Sequence, residues 1–277
     1  MARPFFVAAK PARWGARTHS RWLKKMKQVT RGDAVLHVYE AEAGDRPIML
    51  VHGFASDHVT NWVAPGWIEP LSQAGFRAVA PDLRGHGSTT KFYDSAAYAL
   101  EEMAGDVAAV IESLDAGPVD VMGYSMGAFT SAVLAAQRPE LVSHLVLAGV
   151  GENMLRETGH RNEEIAQGLL QDDVPTQSQE VPRRFRLFAD QTGADKQALA
   201  ACIRGIGKVF TANDLGAISA PTLVIAGETD DVARDPAPLA ALIPGAECVV
   251  VPRRDHMRAV GDKVTKAEVI RFLTDAD

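Results

Sequence analysis

From Val35 onward the chain alternates between two hydrophobic patterns. Short continuous apolar runs recur at residues 48–51, 77–80, 119–122, 145–148, 222–226 and 248–251, and the first two end at His52-Gly53 and Pro81-Asp82. A run with no polar alternation reads as a strand buried on both faces of a parallel sheet. Residues 34–40 follow the turn signal Gly32-Asp33 and are expected to pair with residues 27–31 as an opening hairpin. Between the runs the period lengthens. Residues 98–114 place Leu100, Met103, Val107, Val110, Ile111 and Leu114 near a 3.6-residue repeat, and residues 129–137 and 264–273 predict further helices. Strand and helix alternating in this way predict an α/β fold with a mostly parallel central sheet flanked on both faces by helices.

The alternation breaks between Glu152 and Leu215. There the chain is charged and helical, with Ile165, Leu169, Leu170, Phe185, Leu187, Phe188, Ile203, Ile206 and Phe210 scattered through it. We expect a small helical cap over the C-terminal edge of the sheet, where open α/β folds bind ligands. The predicted organisation is a basic arm over residues 1–31, a core over residues 32–151 and 216–277, and a cap over residues 152–215.

Composition changes this picture little. The 277 residues are 47% hydrophobic and 23% charged, ordinary for a globular protein. A net charge of -6 gives no pull toward nucleic acid. Cys202 and Cys248 form no metal-type motif, and reduced thiols in a cytoplasmic protein are expected, with a single disulfide as the alternative. The apolar stretch at residues 5–9 is too short for a secretory signal, and no run is long enough for a membrane span. The first thirty residues carry Arg3, Lys10, Arg13, Arg17, Arg21, Lys24, Lys25 and Lys27, and no acid precedes Asp33. Two readings of this arm stand: it docks, with Trp14 and Trp22, on an acidic membrane surface or on a partner subunit, as in a homo-oligomer, or it lies along the protein's own surface.

The chemistry concentrates at Gly123-Tyr124-Ser125-Met126-Gly127, a G-x-S-x-G between a predicted strand and a predicted helix. That context is what a nucleophile elbow requires: a strand, a sharp strained turn carrying the serine, then a helix whose N-terminus favours developing negative charge. Further motifs follow in order: His52-Gly53-Phe54 after the third strand, Asp82-Leu-Arg-Gly-His-Gly87 after the fourth, Gly227-Glu228-Thr229-Asp230-Asp231 after the run at 222–226, and His256 after the last strand. Together they resemble the α/β-hydrolase superfamily over residues 35–273.

The resemblance implies a triad in the chain order nucleophile, acid, histidine: Ser125, Asp230 and His256. Asp231 competes with Asp230 for the acid role and has an alternative reading as a loop or helix-cap residue; Glu228 is a third choice. It also implies an oxyanion hole from the backbone amides of Phe54 and Met126. The Asp82–Gly87 turn is assigned a scaffold role, built on its glycines and a buried Arg–Asp arrangement, and His86 is excluded as base. Among the other histidines, His52 is expected to make structural hydrogen bonds, His37 lies in an early strand, and His58, His144 and His160 read as loop or surface residues. No metal motif, dinucleotide fingerprint or P-loop occurs, so no metal and no cofactor are expected.

Phe54, Trp62 and Met126 are candidate substrate-binding residues, Trp62 and the nearby Trp67 having core packing as their alternative. Arg156, Arg161, Arg183, Arg184 and Arg186 either attract an anionic substrate or form a solvated helix face. The expected function is a serine hydrolase cleaving a small-molecule carboxylic ester or lactone through an acyl-enzyme on Ser125. A serine at the elbow argues against the dehalogenases of this fold. Hydrolysis of a thioester or of a C–C bond in a diketone on the same triad, and a non-catalytic ligand-binding role, are the alternatives.

Overall fold

A computed structural model describes residues 24–275. Its eight strands are β1 (Lys24–Arg31), β2 (Ala34–Ala41), β3 (Arg46–Val51), β4 (Phe76–Pro81), β5 (Val119–Tyr124), β6 (Val142–Ala148), β7 (Thr222–Gly227) and β8 (Glu247–Val251). They form one sheet in the order β1-β2-β4-β3-β5-β6-β7-β8. The β1–β2 hairpin and the β2–β4 pair are antiparallel, and every pairing from β4 to β8 is parallel. Each predicted run is present, mostly extended by residues that apolar patterning does not register. Arg46 opens β3 because its guanidinium pairs with the buried Asp120 of β5 at 2.8 Å.

The continuous apolar runs follow from two cores, one on each face. Along β3, Met49 and Val51 face one core while Ile48 and Leu50 face the other; Leu145 and Leu147 of β6 alternate with Val146 and Ala148 in the same way. The first core is closed by α2 (Leu100–Glu112) and α3 (Met126–Gln137), the second by α1 (Ile68–Gln73) and α10 (Lys263–Asp275). The segment 152–215 contains α4 (Gly159–Leu170), α5 (Glu180–Thr192), α6 (Lys196–Gly205) and α7 (Ala212–Gly216), whose Ile165, Leu169, Leu199 and Ile203 join the first core. Two short helices, α8 (Ala237–Ala240) and α9 (His256–Ala259), complete the fold.

The stretch expected as a basic arm over residues 1–31 divides. Residues 24–31 are β1, because each of them pairs with β2 from Lys24↔Ala41 to Arg31↔Ala34. The rest of the arm, with Trp14 and Trp22, lies outside the described residues. Cys202 is buried on α6, Cys248 is exposed on β8, and both are free thiols. Among the described residues no helix is long and apolar enough to cross a membrane.

The expected Arg–Asp arrangement is Arg84 on Asp106 of α2. Arg84 Nε and Nη2 reach Asp106 Oδ2 and Oδ1 at 2.6 and 2.7 Å, with both side chains at 6% exposure or less. A buried fork of this kind is costly to break from one side only. Asp106→Ala should therefore cost about 3–5 kcal/mol in urea unfolding, since Arg84 stays buried without a counter-charge. Glu102→Gln, at a half-exposed position on the same cluster, should cost under about 1 kcal/mol. Equal losses would mean that the pair does not anchor the turn.

Candidate active site

The Gly123–Gly127 motif forms a strand–turn–helix elbow. β5 ends at Tyr124 and α3 begins at Met126, so Ser125 alone makes the turn, at φ 53° and ψ -117°. A non-glycine residue in that region costs about 1–3 kcal/mol and persists only where its surroundings impose it. The surroundings do so through contact at the flanking glycines. A Cβ on Gly127 would lie 2.0 Å from the Val51 carbonyl oxygen, and one on Gly123 would lie 2.3 Å from the Gly127 carbonyl oxygen. The helix thus starts hard against the end of β3. α3 begins earlier than its apolar pattern suggests because Met126-Gly127-Ala128 carries no periodic signal.

The two C-terminal loops bring His256 and Asp230 together. His256 Nδ1–H donates to Asp230 Oδ2 at 2.8 Å, and Asp230 Oδ1 accepts from the Val232 and Ala233 amides at 2.9 and 2.8 Å. Both residues are buried, at 4% exposure for Asp230 and 8% for His256. This leaves His256 Nε2 as the unoccupied acceptor. Tyr124 donates its hydroxyl to the His256 carbonyl and so braces the histidine loop against the elbow.

Asp231 is engaged elsewhere. Its carboxylate, 56% exposed, pairs with Arg184 of α5 at 2.8 Å. Partial burial works to raise its pKa, but the hydrogen bond and charge of Arg184 prevail and hold the group below the ordinary carboxylate range. Glu228 accepts from the Arg253 amide at 2.7 Å and is a loop brace.

The loop Gly53-Phe54-Ala55 lies beside the serine; a Cβ on Gly53 would sit 3.4 Å from Ser125 Cβ. Three buried side chains hold it. Asn61 Oδ1 accepts from the Gly53 amide at 3.0 Å. His52 donates from Nδ1 to the Gly53 carbonyl at 2.8 Å and accepts at Nε2 from the Leu83 amide at 2.9 Å. His86 donates from Nδ1 to the Arg84 carbonyl and accepts at Nε2 from the Ala55 amide at 3.1 Å. Burial keeps both imidazoles neutral, lowering His52 and bringing His86 down to about 3. A neutral ring is what this arrangement needs, since each donates from one nitrogen and accepts at the other. The Met126 amide, first in α3, has no partner within its helix.

Three sequence expectations change. Trp62 lines neither of the cavities beside Ser125; it is fully buried against Trp67, with ring centroids 6.0 Å apart, in the core on the α1 side of the sheet. Residues 59–63 form one π-helical turn, which turns Thr60 and Asn61 to a cavity and the next residue, Trp62, to the core. His144 is not a loop residue but part of β6, buried and 2.7 Å from Asp120. His58 donates to Asp82 at 2.8 Å, and although burial acts to raise Asp82, the hydrogen bond from His58 holds its carboxyl well below the usual range. Asn61 carried no motif signal, and nothing in the sequence joins it to Gly53.

Two cavities meet at Ser125. The first, about 550 Å³ including its open mouth, runs under the cap between Met126, Phe129, Arg161, Asn162, Ile165 and Ile203. The second, about 960 Å³ on the same measure, lies on the histidine side, with Asn61, Tyr124, Phe188, His256, Met257 and Val260 in its wall. Phe54, Phe185 and Val232 border both. Phe54 and Phe185 meet edge-on at 5.5 Å, so the Gly53–Ala55 loop touches α5 where the two cavities meet.

Comparison with known proteins places this site in context. Residues 46–179 match a family model described as the alpha/beta hydrolase fold. The chain is 29% identical over 236 residues to the dihydrolipoyllysine-residue acetyltransferase component of the acetoin cleaving system of Pseudomonas putida, covering 77% of this chain and 59% of that protein. It is 24% identical to a non-heme chloroperoxidase of Kitasatospora aureofaciens, over 88% of this chain and 98% of that one. Several curated relatives are matched over only about half their length or less. Among solved structures, a hydrolase from Pseudomonas aeruginosa superposes with a TM-score of 0.74 at 24% identity, over 90% of this chain and 98% of that one. With its sheet order and elbow, the chain has the α/β-hydrolase fold.

Proposed function

We propose that the protein is a serine hydrolase that cleaves a small carboxylic ester or lactone through an acyl-enzyme on Ser125. The observation that carries this reading is the buried His256–Asp230 pair, whose His256 lines the same cavity as the strained Ser125. Asp230 fixes the tautomer with the proton on Nδ1, so Nε2 takes the proton from Ser125 Oγ as that oxygen attacks the carbonyl carbon. The amides of Phe54 and Met126 stabilise the oxyanion, each donor contributing roughly 3–4 kcal/mol in sites of this kind. Collapse breaks the bond to the leaving oxygen, which takes the proton back from Nε2. Water, activated by the same histidine, then releases the acid and restores Ser125.

The first test is labelling with a fluorophosphonate, followed by hydrolysis of p-nitrophenyl esters of increasing acyl length. Stoichiometric labelling that disappears in Ser125→Ala, together with ester turnover, is the expected result. Labelling without turnover of any oxygen ester or lactone would move the substrate to a thioester or a diketone. No labelling would favour a binding role.

The acid assignment is tested separately. Asp230→Asn should lower kcat roughly 10³- to 10⁴-fold through loss of the tautomer, whereas Asp231→Asn should stay within about tenfold. The reverse order would transfer the acid role. His86→Ala, which frees the Ala55 amide, should lower kcat with little change in KM, as expected for a residue that positions an oxyanion donor.

A further inference from the structure

The cap carries six arginines, and five of them are paired. Arg156 meets Glu152 at 2.5 Å, Arg184 meets Asp231 and Arg204 meets Glu163, both at 2.8 Å. Arg183 donates to the Pro175 carbonyl at 2.9 Å, and Arg186 joins Asp190 to the backbone carbonyls at the end of α4. Arg161 is different: among the described residues it makes no hydrogen bond and no ion pair, and it lines the cavity that ends at Ser125.

Its position is unfavourable for the fold in three ways. It stands in the first turn of α4, where the helix dipole disfavours a cation. Burial works against its charged form and prevails over the attraction of Asp231, while Arg184 and Arg234 add like charge and Asp230 a smaller attraction. Beside it the Asn162 side chain is more than nine-tenths buried, lines the same cavity and bonds to no described residue. Thr158 and Asn153 add polar groups, and no carboxylate borders this cavity. A cation with an idle buried amide beside it is a site built for an anion that the protein itself does not supply.

The two cavities assign that anion to one half of the substrate. His256 borders only the second cavity, and the leaving oxygen must collect its proton from His256. The alcohol half therefore occupies the second cavity and the acyl half the first, between Phe129, Ile165 and Ile203 and ending on Arg161. We propose that the acyl half carries a carboxylate held by Arg161 and Asn162, so that the preferred substrates are half-esters of aliphatic dicarboxylic acids. This inference rests on the reading of Ser125 as the nucleophile.

The test compares p-nitrophenyl half-esters of glutaric and adipic acid with neutral p-nitrophenyl pentanoate and hexanoate, for the native protein, Arg161→Met and Arg161→Lys. The native protein should favour the half-esters by roughly 10- to 100-fold in kcat/KM, the range of one hydrogen bond to a charged group. Arg161→Met should lose that preference, its kcat/KM falling at least roughly tenfold further on the half-esters than on the neutral esters, with a melting temperature no lower than the native protein's, and Arg161→Lys should fall between. Free adipate should raise the melting temperature of Ser125→Ala and leave the Ser125→Ala/Arg161→Met double variant unmoved. Turnover of neutral esters with no preference for the half-esters would overturn the anion subsite alone. Equal loss on both ester classes in Arg161→Met would overturn it too, giving Arg161 a structural role. No turnover of either class, with Ser125 unlabelled, would remove the hydrolase reading and this inference with it.

Discussion

The site depends on the packing of one helix start against one strand end. α3 begins where its second residue, Gly127, meets the carbonyl of Val51, with no room between them for a single carbon. That contact fixes the direction of the helix and leaves the turn to Ser125 alone, in a conformation that serine avoids in free chains. The strain is borne by a sheet whose central strands are buried on both faces, so that relaxing the turn would disturb two cores at once. The reactive hydroxyl is held out from the sheet because the backbone beneath it has no alternative path.

Around this contact the protein spends buried polar groups on loops rather than on chemistry. Asn61, His52 and His86 hold the Gly53–Ala55 loop, and Asp82 ties His58 to the turn that carries His86. Each bonds to a different segment of the chain, which makes the network costly to disturb piecemeal. Below it, the Arg84–Asp106 fork anchors the same turn to α2. The hold on the Gly53–Ala55 loop is thus distributed over several segments of the chain, while His256 and Asp230 follow the last two strands of the sheet.

The sheet was legible because strands buried on both faces leave unbroken apolar runs, as at residues 48–51 and 222–226. Strand ends were not, because they are polar: Arg46 opens β3 through an ion pair that no periodicity marks. Motif order puts Asp230 and His256 after the last two strands, and the structure brings their side chains to 2.8 Å while Asp231 pairs with Arg184. The facing of Trp62 was not legible. Its neighbour Asn61 borders a cavity, and a one-residue difference in facing within a tight turn decides between pocket and core. Nor was Arg161 distinguishable. The six arginines of residues 152–215 look alike in sequence, and only the positions of their partners reveal which one lines a cavity unpaired among the described residues.

Covalent acylation of Ser125 is tested most directly by pre-steady-state kinetics on a p-nitrophenyl ester. A burst of p-nitrophenol equal to the concentration of protein is expected, with a quenched sample whose mass is raised by the acyl group on the peptide carrying Ser125. Acyl transfer to another residue, or undiminished turnover in Ser125→Ala, would contradict it.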